Sequence, residues 1–180
     1  MPDTTHHIAL TGHRPPALDG YRLTTPFYDR LRQRLESVID SALTDHDVVT
    51  LHSGLALGAD TVWSQVILEK RSQNPGRILF MAEVPCPGQA SKWVSQTDRA
   101  FWELQQSTAN KVNVYSDHYS RTCMQDRNIG MVNAADLLVA VYDGSGSGGT
   151  ANAVRYAHSA GIEVLTISPE SLRATTQENP

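Results

Sequence analysis

From Leu137 to Val141 the chain carries five apolar residues in succession, leaving no alternate position to face water. A strand of this kind must be covered on both faces, as in a parallel sheet. Comparable runs recur at Ile8-Ala9-Leu10, from Asp47 to His52, from Arg77 to Ala82, from Lys111 to Tyr115 and from Ile162 to Ile167. The segments between them have helical spacing. Leu23, Phe27, Leu31, Leu35, Val38, Ile39 and Ala42 recur every three or four residues, with Thr25-Pro26 as N-cap and first helical residue. Ala59, Val62, Trp63, Val66 and Ile67 share one face of a second helix; Ala90, Trp93, Val94, Thr97, Phe101 and Leu104 mark a third. A less regular helix is expected from about Arg121 to Ala135, and a short one carries Ala151, Val154 and Ala157. The alternation predicts an α/β fold, Rossmann-like and doubly wound, with a mainly parallel sheet of about six strands and helices on both faces. Residues 1–168 read as a single domain and 169–180 as a mobile tail.

Composition narrows the class. A hydrophobic content of 40% and a charged content of 19% fit a soluble globular protein and argue against wholesale disorder. The formal net charge of -4 argues against a dedicated duplex-DNA binder, so nucleic acid is not an expected partner. No apolar run approaches the ~18 to 20 residues that span a bilayer, and no membrane partner is expected. The N-terminus lacks the basic region and apolar core of a secretory signal, which makes the cytoplasm the expected location. Cys86 and Cys123 suggest neither a disulfide scaffold nor a zinc site. His6-His7, a pair at a strand entrance without a set of thiols or carboxylates to complete a site, reads as structural or solvent-exposed, so no metal is expected.

In doubly wound folds ligands sit beyond the carboxyl ends of the strands, which points to the loops after the first, second and fifth strands. The last of these is Tyr142-Asp143-Gly144-Ser145-Gly146-Ser147-Gly148-Gly149-Thr150. Its glycines, ahead of a helix N-terminus, leave backbone N–H groups free for an anion, with the Thr150 hydroxyl and the helix dipole adding to the attraction. A tight turn without a ligand is the alternative. Gly144, Gly146 and Gly149 satisfy G-x-G-x-x-G, but the loop follows a late strand and no lysine precedes Thr150. The dinucleotide fingerprint and the Walker loop are therefore both excluded, and the expected ligand is a nucleotide phosphate. Gly12, His13 and Arg14 leave the first strand; Arg14 can pair a phosphate bidentately and His13 can hydrogen-bond or stack. Ser53, Gly54, Gly58 and Asp60 leave the second, where Asp60 is either a helix cap or an acceptor for ribose hydroxyls.

Three separated segments resemble the SLOG superfamily, which unites DprA (Smf), the Lonely Guy phosphoribohydrolases and the YpsA-like proteins. Ser53-Gly54-Leu55-Ala56-Leu57-Gly58-Ala59-Asp60 resembles the S-G-L-A-x-G-I-D stretch of DprA. Met124 to Met131, with Ala135-Asp136 and Gly148-Gly149-Thr150, is similar to the Lonely Guy pattern M-x-x-R-K-x-x-M, A-D, G-G-x-G-T-x-x-E. Thr11-Gly12-His13-Arg14-Pro15, with Pro85, Gln89 and Trp93, is closest to the YpsA-like proteins. The resemblance implies a nucleotide-binding domain and adds Gln89 and Arg127 to the candidate ligand residues. It also shows a departure. The glutamate of G-T-x-x-E is Ala153 here, and alanine can neither move a proton nor stabilise an oxocarbenium-like centre.

The leading expectation is thus a protein that binds or senses a nucleotide or a nucleotide derivative, including the ADP-ribose type, with no obligatory cofactor. One alternative is an N-glycosidic-bond hydrolase using Glu83, Asp60 or Asp143; no catalytic residue is assigned. Another is a single-stranded DNA binder like DprA. Trp93, Phe101 and Trp102, read as one helical stripe, offer a surface for a homodimer.

Overall fold

The computed structural model describes residues 5–177. Its strands are β1 (Thr5–Gly12), β2 (Val48–Ser53), β3 (Ile78–Val84), β4 (Lys111–Val114), β5 (Leu137–Val141), β6 (Glu163–Ile167) and β7 (Ala174–Gln177). The helices are α1 (Pro26–Asp45), α2 (Ala59–Gln73), α3 (Gln96–Thr108), α4 (Cys123–Asn133) and α5 (Gly149–Ser159). One sheet runs β4-β3-β2-β1-β5-β6-β7. All neighbouring strands are parallel except β6 and β7, which pair antiparallel. The architecture is the doubly wound α/β fold expected from the strand pattern.

Alternation along β1 divides the core in two. Ile8 and Leu10 turn towards α1 and α2, where they meet Leu31, Leu35, Ile39, Val62 and Trp63. Ala9 turns the other way and packs with Met131, Val132, Ala140, Val154 and Ala157 beneath α4 and α5. Trp63 is wholly buried, and its indole N–H donates to the His52 carbonyl at 3.0 Å, so no polar group is stranded. Since α1 and α5 leave adjacent strands towards opposite faces, a crevice opens beyond the carboxyl ends of β1 and β5.

Three elements differ from the sequence expectation. Helix α3 begins at Gln96, where the Ser95 hydroxyl accepts from the Asp98 backbone N–H at 3.1 Å. Tight turns precede it, closed by Gln89 N–H to the Cys86 carbonyl and Trp93 N–H to the Ala90 carbonyl. Trp93 and Val94 therefore lie in a loop, while Trp102 packs against the core, and the three aromatic residues read as one stripe do not share a helix. Strand β3 runs two residues further than expected, which carries Glu83 into the sheet. Ala174–Gln177, within the segment expected to be a tail, is the seventh strand. Thr175 and Thr176, paired with Thr166 and Leu165 of β6, show that this short polar stretch is held by ladder hydrogen bonds. No helix among the described residues is long and apolar enough to cross a membrane.

Candidate functional site

The crevice is a cleft of about 340 Å³ in which the three expected loops meet. Gly12, His13 and Arg14 enter from β1, Ala56 and Asp60 from the turn into α2, and Ser147 to Thr150 from the turn into α5. Helix α4 closes the remaining side with Met124, Arg127, Asn128 and Met131.

The anion-facing end is α5. Its N-cap, Gly148, has φ +96° and contributes no side-chain cap. The backbone N–H groups of Gly149, Thr150 and Ala151 find no acceptor among the described residues; the first bond of the turn is Asn152 N–H to the Gly148 carbonyl at 3.0 Å. A first turn with its donors open, at the positive end of the helix dipole, attracts negative charge. The first half of the glycine loop has a different position. Asp143, Gly144, Ser145 and Gly146 are exposed and do not line the cleft. Tyr142 O–H donates to the Ser145 carbonyl, and Arg155 Nη1 donates to the Gly146 carbonyl at 2.8 Å, folding this half back on itself. Asp143 Oδ1 accepts from Ser145 N–H at 2.9 Å and lies 2.9 Å from His13 Nε2. These contacts, Ser145 first and then His13, hold the Asp143 carboxyl down to about 2.

Arg127 is the buried cation of the site, 5% exposed. Its Nη1 donates to the Gly54 carbonyl and, at 3.4 Å, to the Glu83 carbonyl; its Nε donates to Asn128 Oδ1 at 2.9 Å. Nη2 has no hydrogen-bond partner among the described residues. Burial pulls the guanidinium below its ordinary pKa, Asp60 opposes that, and Arg14 adds to it. Two glycines make this arrangement possible. A Cβ on Gly54 would stand 1.7 Å from Arg127 Nη1, so only glycine leaves room for the guanidinium. A Cβ on Gly58 would stand 2.5 Å from the His13 carbonyl, and its φ of +99° is one that side chains rarely adopt. Arg14 is exposed at the mouth of the cleft, and its guanidinium makes no hydrogen bond or ion pair among the described residues.

The three candidate carboxylates separate. Asp60 alone of them lines the cleft, and burial raises its pKa while Arg127 and then Arg14 pull it back. Its Oδ2 accepts from Ala56 N–H at 3.3 Å. Glu83 is 1% exposed, and both of its oxygens are occupied: by His52 Nδ1 at 2.8 Å, by Asn113 Nδ2 at 3.1 Å and by Tyr115 O–H at 2.8 Å. Burial alone would raise its pKa, but the bonds from His52, Tyr115 and Asn113 win and hold it below the usual carboxylate range. Asp143 belongs to the outer loop already described.

Two other candidates serve the protein's interior. Ser53 Oγ lies 2.8 Å from Ser64 Oγ, and Gln89 Nε2 donates to the Gly54 carbonyl at 2.9 Å while its Oε1 accepts from Trp102 Nε1 at 3.1 Å. Neither lines the cleft. Ala153 is buried in α5 and does not line it either. Sequence reasoning passed over Met124, Asn128 and Met131 as site residues. The signal was spacing: Met124 and Met131 stand three before and four after Arg127, and Asn128 stands four after Met124 and three before Met131. Asn128 matters most, since it bridges Arg127 to the Gly149 carbonyl at the mouth of α5, at 3.5 Å through Nδ2.

No model of a known protein family matches the chain. It is 28% identical over 150 residues to an uncharacterized SPbeta prophage-derived protein, YoqJ, of Bacillus subtilis (strain 168), a match covering 75% of this chain and 84% of that one. Among solved structures it is similar to DNA processing protein A (DprA) from Streptococcus pneumoniae, with a TM-score of 0.61, 13% identity and 91% of this chain covered. The chain spans half of that protein's length, 50%. DprA from Helicobacter pylori, described for its single-stranded DNA binding mode, gives a TM-score of 0.60 and 15% identity over 98% of this chain and 70% of that one. These likenesses show the fold alone, a Rossmann-like α/β arrangement shared with the DprA structures.

Proposed function

We propose that this SLOG-type domain binds a nucleotide or nucleotide derivative, including the ADP-ribose type, with its phosphates against the open first turn of α5 and between Arg14 and Arg127. The observation that carries the reading is the meeting of three unpartnered donor groups in one cleft: the Gly149 and Thr150 backbone, the Arg14 guanidinium and Arg127 Nη2. The closer assignment to YpsA-like proteins rests on Thr11-Gly12-His13-Arg14-Pro15 with Pro85, Gln89 and Trp93. Calorimetric titration with ADP and ADP-ribose tests the reading, with saturable binding expected. Arg14→Ala should weaken it about tenfold, the scale of one charge-assisted hydrogen bond, and leave the melting temperature unchanged. Absence of heat with both ligands, from a cooperatively folding sample, would reject the proposal.

A second reading has an observation of its own. The Helicobacter pylori neighbour is described for single-stranded DNA binding, which weakens the expectation against nucleic acid drawn from the acidic balance. A single strand would present the same phosphates to the same donors. A mobility shift with an oligonucleotide, abolished between about 50 and 200 mM salt, is its expected signature. The hydrolase alternative rests on Asp60 alone, since Glu83 is enclosed in the sheet and Asp143 lies on the outer loop.

A further inference from the structure

A second groove, of about 720 Å³, borders the cleft. The two share a wall at the Ala56-Leu57 step, Ala56 lining the first and Leu57 the second. The turn that follows β1 also contributes to both, through Ala17 and Tyr21. The groove has two aromatic rings, Tyr21 at 67% exposure and the half-buried Trp93, with Val94 and Asp98 beside them.

The hydrogen-bonding groups here are unused. Of the three tryptophans, Trp63 and Trp102 donate their indole N–H to the His52 carbonyl and Gln89 Oε1, whereas Trp93 has no such partner among the described residues. The Tyr21 hydroxyl, the Lys92 ammonium and the Asp98 carboxylate are likewise without hydrogen bonds or ion pairs from side chains. Flat apolar faces with both donors and an acceptor at their edges match a planar heterocycle that carries donors and acceptors on its rim. The main cleft, at about 340 Å³, sits near the lower end of the ~300 to 1,000 Å³ typical of ligand sites, so phosphates and sugar fill it and a base needs further space.

We infer that the Tyr21–Trp93 groove receives the nucleobase of the ligand whose phosphates occupy the α5 cleft. The inference rests on the phosphate reading of that cleft. The base stacks on Trp93 and Tyr21, and Asp98 accepts from its exocyclic N–H or from a ribose hydroxyl. The groove, by this argument, sets which nucleotides bind, and the cleft sets only that they carry phosphate.

The experiment is titration of the full chain with inorganic pyrophosphate, ribose 5-phosphate, ADP and a short oligothymidylate, repeated with Trp93→Ala, Trp93→Phe and Tyr21→Ala. ADP should bind at least about tenfold more tightly than pyrophosphate. Trp93→Ala and Tyr21→Ala should each remove about tenfold of ADP affinity, leave pyrophosphate unchanged, and show partial recovery in Trp93→Phe. Tyr21 is exposed, so its variant reports binding without a folding defect. Oligothymidylate binding with the same Trp93 and Tyr21 dependence would identify the base as part of a strand; dependence on ADP alone would identify a free nucleotide. Equal affinities for ADP and pyrophosphate, or an ADP affinity indifferent to Trp93→Ala and Tyr21→Ala, would overturn the groove and leave the phosphate cleft standing. Failure of every probe would overturn both.

Discussion

Glu83→Ala is expected to destabilise the fold by about 3–5 kcal/mol, the cost of removing one partner from a buried charged network. The carboxylate accepts from His52, Asn113 and Tyr115 inside the sheet, and alanine leaves all three donors facing an apolar gap. Because the Glu83 carbonyl also receives Arg127 Nη1, slackening of β3 at this point reaches the cleft. Glu83→Gln keeps the shape but turns an amide NH₂ towards donors, and should cost about 1–3 kcal/mol. Urea denaturation measures both, and a Glu83→Ala value within 1 kcal/mol of the parent, against the ~3 kcal/mol floor, would reject the network's importance. The pH dependence has a fixed sign. The folded carboxyl titrates below its unfolded value, so its contribution is complete above about pH 4–5, the ordinary glutamate range, and is lost as pH falls through the folded value. The stability gap between parent and Glu83→Gln should therefore narrow in acid.

Gly54→Ala should abolish most phosphate affinity without touching a ligand. Its Cβ would lie 1.7 Å from Arg127 Nη1, 2.5 Å from Cζ and 2.9 Å from Asp60 Oδ2, so the guanidinium must leave its seat. Arg127→Ala removes the same group directly. A charge-assisted hydrogen bond of about 1.5–3 kcal/mol corresponds to a loss of roughly 10- to 150-fold in pyrophosphate affinity. Both single variants should fall in that range, and the double variant should lose little more, since the two changes act on one interaction. Calorimetry of the three proteins decides. Independent, additive losses, or a Gly54→Ala protein that binds normally, would show that Arg127 is not the group the glycine makes room for.

The fold was legible because strands buried on both faces leave an unbroken apolar signal, and Leu137 to Val141 carries it without a polar residue. Strand β7 was not, because Ala174-Thr175-Thr176 has no such signal and owes its form to the edge of β6. The start of α3 was misread where Trp93 and Val94 continue a helical spacing, and the Ser95 cap, a local hydrogen bond, overrides it. In the site, Arg14 and Gly148 to Thr150 were legible from residue type and from their place after strands, whereas Arg127, inside α4, was named only through the family resemblance. Gln89 and Ser53 carry the right chemistry for a ligand, but sequence does not reveal that a side chain's hydrogen bonds are already committed to its own protein. His52 and Thr50, polar residues two apart in an apolar strand, were the available sign of the network around Glu83.

The Gly54 carbonyl accepts from both Arg127 and Gln89, which fills its two lone pairs. Asp60 Oδ2 accepts from the Ala56 backbone. The Gly54 carbonyl, beneath the cleft, is thus spent as an acceptor, while Asp60 keeps accepting capacity and the rim is rich in free donors. Such a site sorts molecules by their lone pairs. Arg14 and Arg127 favour an oxygen-studded anion and repel a polyamine, to which Asp60 offers the single carboxylate lining the cleft among the described residues.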